Sequence, residues 1–420
     1  MEEQGLFDEI VTRLGGDLQS LLGQVAGGQV QADALEHRLQ GLLRGVGRQA
    51  AGILLEAADR PLCAGQKIHD RRTRTVMTLF GPADVTRVRT AEGRYPLDEA
   101  LGLQGRHGWT AGVQEAASLL SCEKGFETVC DLLQRLLGLS ISPPAAQQIA
   151  ESAGSRAAQL LEHGPPPITA PPRTLIMAVD GCQAPQRDGG HEVKVGCVYA
   201  HEHRAKTAGG RGKLIPKEYL ATLEDAAALG RRLWHTAQRW WADEATRVVG
   251  MGDGAPWIWN LFGEHFPGAV EIVDFYHAAE HLWATGEALY GDRHTCGATR
   301  SWVRRYLHRL RHGRIDLVLE AIARSQASRG PLPAERQTLV RRNLDYFRIN
   351  RHRMRYDPFK RWHLPIGTGA VEGSCKFVVQ SRFKLPGCRW SHEGLGNMLA
   401  LKQLRLNGHW NLLWPFTKAA

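Results

Sequence analysis

Three acids stand in contexts that suit phosphodiester chemistry. Asp180 closes the run Thr174-Leu-Ile-Met-Ala-Val, Asp253 sits between Gly252 and Gly254, and Glu372 follows Gly369-Ala-Val. They are separated by 73 and 119 residues. Mg²⁺ takes hard oxygen ligands such as these. Two such ions roughly 3.5–4 Å apart stabilise the attacking and leaving oxygens of an in-line displacement. Three carboxylates, with substrate phosphate and water, suffice to hold the pair. Spacing alone does not single them out, because the chain has 43 Asp and Glu residues. The surrounding residues narrow the choice.

The element that must position Asp253 is a strand–turn–helix. Val248-Val-Gly-Met-Gly252 reads as a buried strand, and Pro256 stands where a helix starts, with Trp257, Ile258, Leu261 and Phe262 at helical spacing. Asp253 then falls at the C-terminal mouth of a strand, where open α/β sheets bind ligands. The alternative is an Asp that caps the next helix. Thr174–Asp180 reads as a buried strand ending in its acid. His191–Tyr199 alternates like an antiparallel neighbour, Lys217–Thr222 reads as a third strand, and residues 224–242 as a helix. Ala269–Asp274 is a further strand, and Phe275 opens a helix. Trp257 and Trp259 read as core, with base stacking the minor alternative.

Around this core the chain divides into seven stretches. Residues 1–60 carry leucines at helical spacing: Leu14, Leu18, Leu21 and Leu22, then Leu35, Leu39, Leu42 and Leu43. Residues 61–100 contain a β-hairpin over 72–90, its turn placed at Gly81-Pro-Ala-Asp84. Residues 101–162 are helical and fit a helix-turn-helix, with Gly138 ending one helix and Ala145–Ser152 opening the next. The alternative, an antiparallel helix pair without DNA contact, is the commoner arrangement. Residues 163–173 are a proline-rich linker. Residues 174–283 and 363–420 form two parts of the α/β core, with a helical segment, 284–362, between them.

The helical segment is basic. The chain has 53 Lys/Arg against 43 Asp/Glu, net +10. Residues 300–361 alone hold 17 basic and 5 acidic residues, a local +12, so the remainder sums to −2. A localised excess of this kind points to a polyanion. Trp302, Val303, Tyr306, Leu307 and Leu310 make one apolar stripe, and Arg304, Arg305, Arg309 and Arg311 lie off it.

These pieces together resemble the DDE transposases of insertion sequences, most closely the ISKra family. The similar segments are Ala178-Val-Asp-Gly181, Gly252-Asp-Gly254, Asp274-Phe-Tyr-His-Ala-Ala-Glu-His-Leu282, Gly369-Ala-Val-Glu-Gly-Ser-Cys-Lys376 and Gly387-Cys-Arg-Trp-Ser391, with Tyr95–Leu103 upstream. The resemblance runs from about residue 70 to 415. It implies an RNase H-like catalytic core interrupted by a helical insertion and preceded by a mostly helical N-terminal region with a β-hairpin. It implies cleavage of transposon-end DNA and its joining to target DNA, with Asp180, Asp253 and Glu372 as the catalytic, metal-holding acids. Asp274 and His277 match a DxxH element thought to support the site; for His277 the alternative is packing on the sheet. Lys376, four residues beyond Glu372, is expected to hold a DNA phosphate or to pair with Glu372.

The chain departs from those relatives where they carry CxxC pairs, around the hairpin. Only Cys63 precedes it, and Ala91-Glu-Gly-Arg94 stands where a second pair would be. No zinc is therefore expected: the hairpin is read as a degenerate ribbon, Cys63 with His69 as incidental, and Cys122 and Cys130 as core thiols. The eight scattered cysteines form no CxxC pair, and the acidic start lacks a secretory signal. The expected cofactor is Mg²⁺ or Mn²⁺, two ions. The expected setting is cytoplasmic and nucleoid-associated, with a homodimer or higher homo-oligomer on DNA and no membrane. A catalytically dead, transposase-derived regulator and a metal-dependent nuclease are the competing functions.

Overall fold

The computed structural model describes residues 2–103, 108–206, 212–214, 216–367 and 369–415. The chain forms two compact units, residues 1–153 with 414–420, and residues 154–413.

In the first unit, α1 (Glu2–Ala26) and α2 (Leu35–Leu62) are helical, as the leucine spacing predicts, and pack on each other. Next comes the hairpin β1 (Ile68–Thr78) and β2 (Gly81–Thr90). Its turn is Leu79-Phe80, two residues before the expected one, and Gly81 and Pro82 are already in the strand. Thr78 closes the tighter turn: its Oγ1 donates to the Gly81 carbonyl (2.8 Å) and accepts from Phe80 N (3.2 Å). Pro82, which has no N–H, faces Met77 where the backbone groups point outward, and Met77 instead pairs outside the hairpin: its N donates to the Gly108 carbonyl (2.7 Å) and its carbonyl accepts from Thr110 N (3.0 Å).

The outer edge of β2 is covered by α2. The Glu56 carboxylate accepts from Thr86 N (2.5 Å) and the Asp59 carboxylate from Val88 N (2.6 Å). Helical i, i+3 spacing thus meets strand i, i+2 spacing, and backbone donors that would otherwise invite another strand are satisfied. On the short helix α3 (Pro96–Ala100), Asp98 bridges Arg74 (2.8 Å) and Arg87 (2.7 Å). Cys63 donates to Asp59 (3.4 Å), while the His69 ring lies 3.5 Å from Asp70. These contacts hold the hairpin by apolar packing and ion pairs. Elemental analysis of purified protein is expected to show no stoichiometric zinc; about one tightly held zinc per chain would overturn that account.

Helices α4 (Ala111–Ser121), α5 (Phe126–Leu137) and α6 (Pro143–Leu160) follow. Val113, Ala117, Val129, Leu133, Ala146 and Ile149 make their shared core. Cys122 is buried and Cys130 packs against that core.

The second unit centres on a five-stranded sheet. Its strands are β3 (Thr174–Gln186), β4 (Gly189–Ala200), β7 (Glu218–Thr222), β8 (Arg247–Gly252) and β9 (Val270–Val273), in the order β7-β4-β3-β8-β9. A small hairpin, β5 (Arg204–Lys206) and β6 (Gly212–Leu214), lies apart from it. β4 is antiparallel to β3 and β7, while β3, β8 and β9 are parallel. The first six residues of β3 are all buried, as a strand covered on both faces must be. β3 does not stop at Asp180, as expected, but runs on to Gln186. Its continuation stays paired with β4 after the parallel ladder to β8 has ended at Ala178–Met251.

Helices α7 (Ala226–Arg239) and α8 (Pro256–His265) cover the sheet, with Asp225 capping α7 and Pro256 at the first turn of α8. The long excursion after β9 is helical, as its pattern predicts: α9 (Phe275–Tyr290), α10 (Gly297–Arg311), α11 (Ile315–Ser328), α12 (Ala334–Ile349) and α13 (Tyr356–Arg361). The chain returns through α14 (Gly369–Ser374), a π-helical stretch Cys375–Gln380 and α15 (Ser381–Phe383). It ends in α16 (His392–Leu406) and α17 (Trp410–Leu413). The Gln403 and Asn407 side chains stand in for a sixth strand. Each accepts from and donates to the backbone of β7, at Ala221 and Tyr219 respectively. No helix among the described residues is long and apolar enough to cross a membrane.

Candidate carboxylate site

Sheet register brings the first two acids together. Ala178 of β3 is level with Met251 of β8, so two residues further on Asp180 is level with Asp253, just beyond the parallel ladder. Both are half-buried. Asp253 does not cap α8, whose N-cap is Ala255; its Oδ1 accepts from Ala255 N (2.8 Å) and shapes the turn. Asp180 Oδ1 accepts from Gly181 N (2.7 Å), and Oδ2 accepts from the Cys375 thiol (3.3 Å). Burial raises the Asp180 pKa above the usual carboxylate range. The donors Cys375 and Gly181 oppose the rise, the negative charge of Asp253 adds to it, and His277 offsets it.

The third acid arrives on the returning chain. Ile366 accepts from Phe275 N (2.8 Å), anchoring this strand of chain at the start of α9, and α14 then packs on β3 and β4. Glu372 lies in α14, one turn before Cys375. Its carboxylate lies outside the described residues. Lys376 is exposed and falls in the π-helical stretch. Such stretches recur at functional sites.

The supporting pair divides into two roles. Asp274 is fully buried and caps α9, accepting from Tyr276 N (2.5 Å) and His277 N (3.2 Å). The His277 ring is half-buried, 3.9 Å from the Glu280 carboxylate, and near enough to Asp180 to bear on its charge.

Several residues at this site escaped the sequence reading. Tyr346 of α12 donates its hydroxyl to the Asp253 carbonyl (2.8 Å), and Asn350 Nδ2 donates to the Gly254 carbonyl (3.4 Å). Gly254 has φ +105°, and a Cβ there would stand 2.5 Å from the Tyr346 ring, so only glycine fits this turn. The same ring stacks on His281 at 3.7 Å, and His281 Nδ1 is 2.9 Å from Asn343 Oδ1. Burial holds the His281 pKa below its usual value. Tyr356 donates to the Val273 carbonyl (3.0 Å), and Arg353 pairs with Glu271 (2.5 Å). The helical excursion therefore grips the C-terminal ends of β8 and β9. His281 had a signal, since it lies four residues after His277 on one helix face. Tyr346 had none, because 93 residues separate it from Asp253.

Tyr346→Phe keeps the ring and removes one donor to a carbonyl at this turn. Urea unfolding is expected to show a loss of about 0.5–1.5 kcal/mol. A variant as stable as the parent would mean the hydroxyl does not hold the turn.

The four arginines are all exposed on α10, while Val303 and Leu310 are fully buried and Trp302 donates to Ser325 Oγ (3.1 Å). Trp259 is buried, with the Arg353 guanidinium over its ring, and Trp257 is half-buried. A separate cavity of about 280 Å³ lies between β7, α7 and α16. Of the acids that line it, Glu218 is tied to Arg239 and to Trp240 Nε1, and Glu224 pairs with Arg232 (2.8 Å).

Two half-buried carboxylates level on adjacent strands repel each other, and a divalent cation between them relieves that repulsion. Their hard oxygens suit Mg²⁺ or Mn²⁺. Among the described residues no group of three His, Cys, Asp or Glu side chains is placed to hold a metal ion. Fold and site define a mixed α/β protein with paired acids at the C-terminal end of its parallel strands and a basic helical excursion packed beside them. The chain belongs to UPF0236, an uncharacterised protein family whose model matches residues 28–412. It is similar to the UPF0236 protein in the vanSb 3′ region of Streptococcus gallolyticus, with 24% identity over 410 residues, 92% of this chain and 86% of that relative.

Proposed function

We propose that this chain is a DDE transposase of the ISKra type, with an RNase H-like core that cuts transposon-end DNA and joins it to target DNA. The observation that carries the reading is the level placement of Asp180 and Asp253, with the helix of Glu372 packed on the same strand. A sheet that is antiparallel on one side of β3 and parallel on the other supports the RNase H-like assignment.

Asp180, Asp253 and Glu372 would hold two Mg²⁺ or Mn²⁺ ions, which when bound stabilise charge on the attacking and leaving oxygens. Tyr346, Asn350 and the capped start of α9 keep the carboxylate turn in place. Lys376 is exposed at the rim and suits a DNA phosphate. Arg304, Arg305, Arg309 and Arg311 suit the duplex backbone, which fixes position without reading sequence. The nucleophile is water for cleavage and a 3′-hydroxyl for joining. We place the protein in the cytoplasm on nucleoid DNA, as a homodimer or larger assembly of this chain.

The test is incubation of the whole chain with DNA bearing its own element's terminal repeats, Mg²⁺ and a target plasmid. Cut ends joined to the plasmid are expected. Nicks without joined product would reduce the proposal to a nuclease. Binding to the ends with no cleavage would make the chain a regulator.

A further inference from the structure

Cys182 and Cys375 are 193 residues apart in sequence and meet beside Asp180. Cys182 lies two residues beyond Asp180 on β3, hence on the same face of the strand. The Cys375 sulfur lies 3.3 Å from Asp180 Oδ2, and the two thiols are near enough to bear on each other's charge. Both are free and buried.

We propose that this pair is an oxidation site, at which hydrogen peroxide forms a reversible Cys182–Cys375 disulfide. One sulfur attacks a peroxide oxygen, the O–O bond breaks, and water leaves with a sulfenic acid behind. The second sulfur attacks the first, the S–O bond breaks, and a second water leaves. Two thiols and one peroxide become one disulfide and two waters, with two electrons passing from sulfur to oxygen. Disulfides in reducing compartments are usually transient and redox-sensing.

The bond has two consequences for the site. Cys375 loses the S–H that it donates to Asp180. β3 also becomes tied covalently to the helical run that carries Glu372. Loss of a partner that orients a metal ligand typically costs 10–100-fold in affinity or activity, so oxidation is expected to slow Mg²⁺-dependent cleavage by at least about tenfold. This consequence rests on the reading of Asp180 as a ligand, whereas the disulfide itself does not.

The test is peroxide treatment of the full, reduced chain, followed by thiol blocking with N-ethylmaleimide and peptide mapping by mass spectrometry. A Cys182–Cys375 cross-linked peptide is expected as the main product, reversed by dithiothreitol and absent from Cys182→Ser. Recovery of both cysteines as maleimide adducts while other thiols oxidise would overturn the proposal, as would separate sulfinic acids at the two positions. Cleavage of end DNA at the same rate before and after cross-linking would overturn the coupling to the site. Cleavage by neither form would count against the transposase reading, and the cross-linked peptide would still decide the disulfide.

Discussion

Asp253→Asn is expected to lower Mg²⁺-dependent cleavage of end DNA by about 10³-fold, equivalent to about 4 kcal/mol of transition-state stabilisation. The amide keeps an oxygen to accept from Ala255 N, so the turn survives while a negative charge is lost. Asp180→Asn is expected to lose as much activity and to gain stability. Its carboxyl pKa is raised in the folded chain, chiefly by burial and further by Asp253. The folded state therefore holds this proton to higher pH than the unfolded chain does. The stability linked to that proton is full below the unfolded value, near the reference 3.8, and is lost as pH rises through the folded value. Once ionised, the buried carboxylate is a cost. Thermal unfolding in EDTA at pH 7 should find Asp180→Asn more stable by about 0.5–2 kcal/mol, a gain that disappears in acid. An Asn variant that is less stable than the parent at pH 7, or that still cuts, would contradict the assignment of Asp180.

The second large effect concerns the basic excursion. Changing Arg304, Arg305, Arg309 and Arg311 together to Gln should weaken DNA binding to a similar degree on end and random sequences, because phosphate contacts do not specify. All four are exposed, and the buried Val303 and Leu310 hold the opposite face of α10. Each phosphate contact adds about 0.9 to the magnitude of the log–log salt slope, so the slope should flatten by about two to four units. Circular dichroism verifies that α10 persists. An unchanged slope with the helix intact would leave α10 as a spacer and move the DNA path elsewhere.

What could be read in advance followed from periodicity. The apolar runs before Asp180 and Asp253, the Pro256 start and the stripe from Trp302 to Leu310 gave strands and helices close to those observed, because local pattern sets local structure. Adjacency of Asp180 and Asp253 was not in the pattern. It depends on which strands pair and in which register, and β3 running past its acid was hidden by the glycine at 181. The hairpin turn was misplaced because Gly81-Pro82 is a strong turn signal, yet Thr78 closes a tighter turn first. Tyr346 and Asn350 reach the Asp253 turn from a helix 93 or more residues away, and no local rule links such positions. Cys375 lay inside a segment already singled out, but its bond to Asp180 depends on how α14 and the π-helical stretch dock on β3.

The central claim is that three acids, from β3, the turn after β8 and α14, serve one metal-dependent site. Glu372 tests it most directly, because α14 reaches the sheet only after the whole helical excursion. The measurement is the cleavage rate of end DNA across a Mg²⁺ titration, for the parent chain and for Glu372→Gln with its DNA binding verified as intact. The account predicts Mg²⁺-dependent cutting by the parent, none in EDTA, and a loss of about 10³-fold in the variant at every Mg²⁺ concentration. Cutting by Glu372→Gln at the parent's rate, or by the parent in EDTA, would contradict it.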